Sequence, residues 1–176
     1  RYQITPGGKI NAGTLSSEMG YNPTKELTNC MQWAVNNYPA QNYGLVLWNH
    51  GSGVEDFSPG LVKKTISTPW LHLMPLSNQR GILYDDSQGT CLTNKGLTTA
   101  LTNIKKIIGK NLDLIAMDAC LMAMVEIAYQ MKGLANIFVA SQETIPGYGY
   151  PYSGFIKPLS SNPATTTPLV LAQNIV

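Results

Sequence analysis

Three apolar runs in this chain end in residues that can do acid/base or nucleophilic chemistry. LVLWNHGSG, residues 45–53, delivers His50 between Asn49 and Gly51. LDLIAMDACLM, residues 112–122, delivers Asp118 and Cys120, and NIFVASQET, residues 136–144, delivers Ser141 and Glu143. A thiol and an imidazole within reach of each other form a nucleophile and its proton partner. The thiolate attacks a carbonyl carbon, and the imidazolium protonates the departing amine. Gly51 lacks a side chain, so its N–H can approach an oxyanion closely. Taken singly, each residue also has a structural reading. His50 can be a satisfied loop residue, Cys120 a small core hydrophobe and Asp118 a helix cap.

The elements that must position these residues follow from the pattern around them. NPTKELTNCMQWAVNNYPA reads as a helix capped by Asn22, opened by Pro23 and stopped by Pro39, with Leu27, Cys30, Met31 and Ala34 at helical spacing. YGLVLW, LDLIAMDA and NIFVAS lack polar/apolar alternation, as strands buried on both faces of a parallel sheet do. GILYDD is a weaker short strand. TNKGLTTALTNIKKIIG is a helix capped by Thr93 and stopped by Gly109, and CLMAMVEIAYQMKG is a third, closed by Gly133. That reading puts Cys120 at a helix start, where free N–H groups and the dipole favour a thiolate. Residues 1–22 read as a loop or edge element, and the Pro-rich residues 50–80 as a long loop of the kind that is functional or disordered. The tail TTPLVLAQNIV opens another helix in mid-pattern, so residues 1–176 read as one catalytic domain or its N-terminal part. The fold class is α/β: a mostly parallel sheet with helices on both faces. Ligands of such sheets bind beyond the carboxyl ends of the strands, which is where His50, Asp118 and Cys120 emerge. They meet only if their strands are neighbours, and sheet order is not written in the sequence.

Composition narrows the class. Apolar residues make up 44% of the chain, enough for a sizeable core, while charged residues are only 12%, about half the usual share of ~25%. The surface is therefore neutral and hydrogen-bonding, a composition of exported proteins, and Arg1 in place of Met fits a removed leader. The net charge of +2 comes from dispersed or paired lysines and arginines, which argues against nucleic-acid binding. No apolar run reaches the ~20 residues of a membrane span. Cys30, Cys91 and Cys120 are an odd set without a Cys-x-x-Cys pair, so at least one thiol is free and a structural zinc site is not expected.

NYPAQNYGLVLWNHGSG, DLIAMDACLMAMVEIAYQMKG and NIFVASQETIPGYGYPY, in this order, resemble the clostripain-like cysteine peptidases, and the resemblance runs from about residue 24 to about residue 160. It implies a caspase-type three-layer sandwich and an endopeptidase that cleaves after Arg or Lys. It assigns Cys120 as nucleophile and His50 as its dyad partner, with the N–H groups of Gly51 and Cys120 as the oxyanion hole. Asp118 then receives the substrate cation, and Ser141 and Glu143 line the substrate site. A carboxylate suits a guanidinium, although one so near Cys120 opposes thiolate formation.

Relatives of this kind are made inactive and cut between the His and Cys segments, which points to Lys63 and Lys64, with Arg80 as a further basic residue. The dyad needs no cofactor. Some members use calcium, for which Asp85, Asp86 and Glu143 offer oxygens without EF-hand spacing. The partner is a protein or peptide with basic residues, and a second chain can complete the domain. The family continues with further strands past the point where this chain stops, and PGYGYPY carries tyrosines where a second acidic pocket residue would be welcome.

Competing readings are an inactive caspase-like binding module, a flavodoxin-like binder using HGSG as a weak phosphate loop, and a serine hydrolase using Ser52. The last lacks a G-x-S-x-G elbow. Secretion, a bacterial cell surface or the periplasm is the expected location.

Overall fold

In the computed structural model, residues 2–5, 7–13, 22–54, 81–85 and 87–176 are described. A hairpin of β1 (Tyr2–Thr5) and β2 (Gly8–Asn11) precedes helix α1 (Pro23–Asn37). Strand β3 (Gly44–Trp48), the hairpin β4 (Gly81–Asp85) and β5 (Thr90–Thr93), and helix α2 (Asn94–Ile108) follow. Strand β6 (Leu114–Asp118), helix α3 (Val125–Met131), strand β7 (Phe138–Ala140), and helices α4 (Tyr152–Ser161) and α5 (Pro168–Ile175) complete the order.

The central sheet is parallel, in the order β3-β6-β7. All five residues of β6 are buried, and successive side chains point to opposite faces. Ile115 and Met117 join Leu27 and Met31 of α1, Leu97, Leu101 and Ile104 of α2, and Ile127 of α3. Leu114 and Ala116 join Phe155 of α4 and Ala172 and Ile175 of α5 on the other face. Two cores on one sheet make the α/β sandwich with helices on both faces that the sequence predicts. Each fully buried Leu, Ile or Met contributes about 1.5–3 kcal/mol, so β6, buried along its whole length, fixes the level of the sheet. In β3 only Leu47 is buried to that depth, and Trp48 is 58% exposed. The unbroken apolar run of β3 therefore belongs to an edge of the described sheet, not to a strand buried on both faces.

Local signals set the helix ends. The Asn22 side chain accepts from Lys25 N at 3.0 Å and Pro23 opens α1. Thr93 caps α2 by accepting from Gly96 N, and Gly109, at φ 73°, ends it. Cys30 departs from the expected stripe. It is exposed, and Leu27 and Met31 alone carry the buried face of α1. All three cysteines are free, and burial pushes the Cys91 thiol up to about 11.

The third helix differs from expectation. It begins at Val125, and residues 119–124 form a turn with Leu121 in the left-handed region at φ 63°. The left-handed Leu121 interrupts a right-handed helix there, and tertiary bonds hold the turn. Leu121 N donates to Glu143 O at 3.2 Å and Ala123 N to Ser141 O at 2.9 Å, both in the loop after β7. Cys120 thus sits in a turn ahead of a seven-residue helix, so the expected help from a helix dipole does not apply, the effect being confined to a helix's first turn. Asp118, the alternative cap, is the last residue of β6.

A second irregularity lies in β4, where the register with β5 shifts between Ile82 and Asp85 and Leu83 has φ 59°. That conformation costs about 1–2 kcal/mol. Two hydrogen bonds to the segment after β3, Leu83 N to His50 O at 3.2 Å and Tyr84 N to Asn49 Oδ1 at 2.9 Å, offset it at about 0.5–1.5 kcal/mol each.

Candidate active site at the ends of β3 and β6

Strands β3 and β6 run in register from Gly44↔Leu114 to Trp48↔Asp118, and Asn49 N adds a bond to Asp118 O at 3.3 Å. His50 and Cys120 each lie two residues beyond that last pair, so the two segments leave the sheet side by side. A Cβ on Gly51 would stand 2.5 Å from Cys120 O and 3.0 Å from Ala119 Cβ. Glycine is thus required for the close approach of the His50 and Cys120 backbones. His50 is exposed and Cys120 half-buried. Among the described residues, the N–H groups of Gly51 and Cys120 have no hydrogen-bond acceptor, and neither has the His50 ring a partner. Gly51 is buried, so its N–H is an unpaired donor among the described residues, next to the Cys120 backbone.

Asp118 is 1% exposed. Its Oδ2 accepts from Tyr150 N at 2.9 Å and from the Tyr152 hydroxyl at 2.8 Å. Its Oδ1 is buried without a hydrogen bond among the described residues. Gly149, at φ 71°, closes over this carboxylate, and a Cβ there would collide with Asp118 Oδ2 and come within 2.8 Å of Trp48 Nε1. The Trp48 and Tyr152 rings meet edge to face with centroids 6.4 Å apart.

Burial, and then the nearby Asp118 charge, push the Tyr150 hydroxyl up to about 12. Tyr152 is raised by burial, by its bond to Asp118 and by the same charge. Both folded values exceed the unfolded value near 10, so the fold favours the neutral phenols. Their stabilisation is whole below about pH 10 and is lost as pH climbs through the folded values. Following phenolate absorbance to about pH 11 should therefore find Tyr150 and Tyr152 among the tyrosines still protonated, and the count of protonated tyrosines should fall by one in each of the Tyr150→Phe and Tyr152→Phe variants.

The loop after β7 crosses the thiol. Ile145 N donates to Cys120 Sγ at 3.3 Å, and the thiol faces Ile145 O at 3.9 Å. Ser141 and Glu143 reach the site through their backbone carbonyls, which hold the turn after Cys120. The Ser141 hydroxyl accepts from Glu143 N within its own loop, and the Glu143 side chain is exposed. Ser52 is buried, accepting from Gly81 N and from the Tyr84 hydroxyl, which makes it a tie to β4 rather than a nucleophile. HGSG is no phosphate cradle either: a Cβ on Gly53 would fall within 2.7 Å of Met124 Sδ and Leu121 O.

Lys63, Lys64 and Arg80 lie outside the described residues, as does Asp86. Among the described residues no group of three or more His, Cys, Asp or Glu side chains is placed to hold a metal ion. Asp85 Oδ1 is occupied within the β4–β5 turn by Ser87 Oγ and Gln88 N. No helix among the described residues is long and apolar enough to cross a membrane.

Sequence reasoning missed the surroundings of Asp118. Gly149, Tyr150 and Tyr152 were legible only as a loop short of carboxylates. Their N–H and O–H donors are nonetheless the groups a buried carboxylate needs. Asn49 was passed over beside His50.

The sequence model of the clostripain family matches residues 7–176. Clostripain from Hathewaya histolytica is 30% identical over 133 residues, which is 69% of this chain and 21% of clostripain. A secreted C11 cysteine protease from Bacteroides thetaiotaomicron, solved with an irreversible peptide inhibitor, has a TM-score of 0.66 at 24% identity, over 99% of this chain and 43% of that one. An inactive zymogen C11 protease from Parabacteroides distasonis has a TM-score of 0.57 at 25% identity, over 90% of this chain and 38% of that one. The chain thus spans about a fifth of clostripain and about two-fifths of the solved proteases. The family match over nearly every residue and the shared sheet with its two helical layers agree: the chain belongs to the clostripain family.

Proposed function

We propose that this chain carries the catalytic dyad of a secreted cysteine endopeptidase that cleaves after Arg or Lys. The observation that carries the reading is the register of β3 and β6, which brings His50 and Cys120 out at one rim with Gly51 pressed against Cys120. The Cys120 thiolate attacks the scissile carbonyl carbon and a C–S bond forms. The oxyanion is held by the N–H groups of Gly51 and Cys120. The His50 imidazolium gives its proton to the leaving amine as the C–N bond breaks. A water then gives a proton to His50 and attacks the thioester, releasing the acid and restoring the thiol.

Asp118 Oδ1, buried and without a hydrogen bond among the described residues, is the acceptor for the substrate cation. Carboxylate and guanidinium form a strong charge-assisted pair in such a site. The described state is closed, because Gly149 and Tyr150 cover Asp118 and Ile145 covers the thiol. Substrate entry requires this loop to move. Cleavage at Lys63 or Lys64 is the processing step of this reading, and secretion follows the secreted relative.

The test is a panel of fluorogenic peptides with Arg, Lys, Asp, Asn or Leu before the bond, given to the intact, processed protein with and without iodoacetamide. Cleavage after Arg and Lys alone, blocked by the thiol reagent, is the expected result. Cleavage after Asp or Asn would remove the Asp118 assignment. No cleavage of any peptide would favour a binding module.

A further inference from the structure

We propose that Asn49 is the positioning residue for the His50 imidazole, fixing its backbone through two hydrogen bonds to one side-chain oxygen. The proposal rests on the reading of His50 as the proton partner of Cys120. The His50 ring is exposed and has no hydrogen-bond partner among the described residues, so its direction is set where its backbone is held. Asn49 does most of that holding. Its N–H donates to Asp118 O at the end of β6. Its Oδ1 accepts from His50 N at 2.6 Å and from Tyr84 N at 2.9 Å. His50 O accepts from Leu83 N at 3.2 Å, and Gly51 then packs on Cys120 O. The histidine is thus pinned on the β6 side and the β4 side at once.

The β4 side is built for this task. Successive N–H groups of a regular strand point in opposite directions. Leu83 N and Tyr84 N nonetheless both reach the 49–50 segment, which the left-handed Leu83 and the register shift between Ile82 and Asp85 make possible. A strained leucine at that point is explained by the two bonds it delivers. The oxygen of Asn49 acts only as an acceptor here, so aspartate can replace it. Alanine loses both bonds, and glutamine displaces the oxygen by one methylene.

The experiment uses the intact, processed protein and a fluorogenic Arg peptide. Asn49→Ala should lower kcat about 10–100-fold with KM within about twofold, the size expected when a reacting group is displaced by about 1 Å. Asn49→Asp should restore kcat to within a few-fold of wild type, and His50→Ala should abolish turnover. Turnover by His50→Ala would remove the underlying reading. An inactive His50→Ala beside an Asn49→Ala with wild-type kcat would overturn the positioning role and leave that reading standing. Should Asn49→Ala fail to fold, Asn49→Asp and Asn49→Gln carry the comparison. An active aspartate with an impaired glutamine supports the role, and equal kcat in both overturns it.

Discussion

Alanine in place of Cys120 should leave a folded protein that cleaves Arg and Lys peptides about 10⁴-fold more slowly or worse, the scale seen when a covalent nucleophile is removed. The thiol is the nucleophile of this reading, and Ser52 cannot stand in for it because it is buried and tied to β4. The oxyanion donors proposed at Gly51 and Cys120 are backbone groups and survive the substitution, so residual turnover should come from them. Stability should barely change. Cys120 is half-buried, and the side-chain bonds it loses are those to Ile145. An effect of about 1 kcal/mol or less is expected for such a site. Circular dichroism and a thermal melt beside the peptide assay separate the two outcomes. An alanine variant as active as wild type would end the thiol mechanism.

Asp118→Asn should flatten the substrate panel while stabilising the fold. Asparagine keeps an oxygen for Tyr150 N and the Tyr152 hydroxyl. It replaces a buried carboxylate oxygen that has no partner among the described residues with a neutral amide, and a buried unpaired charge is the costlier of the two. A gain of about 1 kcal/mol corresponds to a Tm rise of about 2–4 °C for a chain of this size. Removing one member of a buried ion pair costs about 2–5 kcal/mol of binding, so kcat/KM for Arg and Lys peptides should drop about 10²–10³-fold. The Leu peptide should change little. The charge that helps to raise Tyr150 and Tyr152 also disappears, so their phenolates should form at lower pH. A variant less stable than wild type that still prefers Arg and Lys would show that Asp118 is a structural anchor for the 149–152 segment and nothing more. Such opposed effects on stability and activity mark a group held in place for a ligand.

The local signals were legible without a structure. Asn22 with Pro23, Thr93 and Gly109 act within one helical turn of themselves, so they mark the ends of α1 and α2 in any context. The apolar run of β6 predicts burial on both faces, and the two helical layers on Leu114 and Ile115 realise it. The helix expected at Cys120 gives way to a turn with Leu121 left-handed, held by bonds from Leu121 N to Glu143 O and from Ala123 N to Ser141 O, more than fifteen residues away in the chain. No pattern near Cys120 records those long-range bonds. The exposure of Cys30 and Trp48 is of the same kind, since spacing ranks residues by type and only the neighbouring element decides which are covered.

The candidate site divides along the same line. The order of residues names the groups that have the chemistry: a thiol, an imidazole, a carboxylate and a side-chain-free amide, each at or just past the end of an apolar strand. That β3 and β6 are neighbours, in a register that brings His50 level with Cys120, comes from packing. Packing also puts one oxygen of Asp118 against Tyr150 and Tyr152 and leaves the other without a hydrogen bond among the described residues. Strand order and register depend on how two faces of a sheet fill with helices, a global packing condition. The identity of a nucleophile depends on one atom.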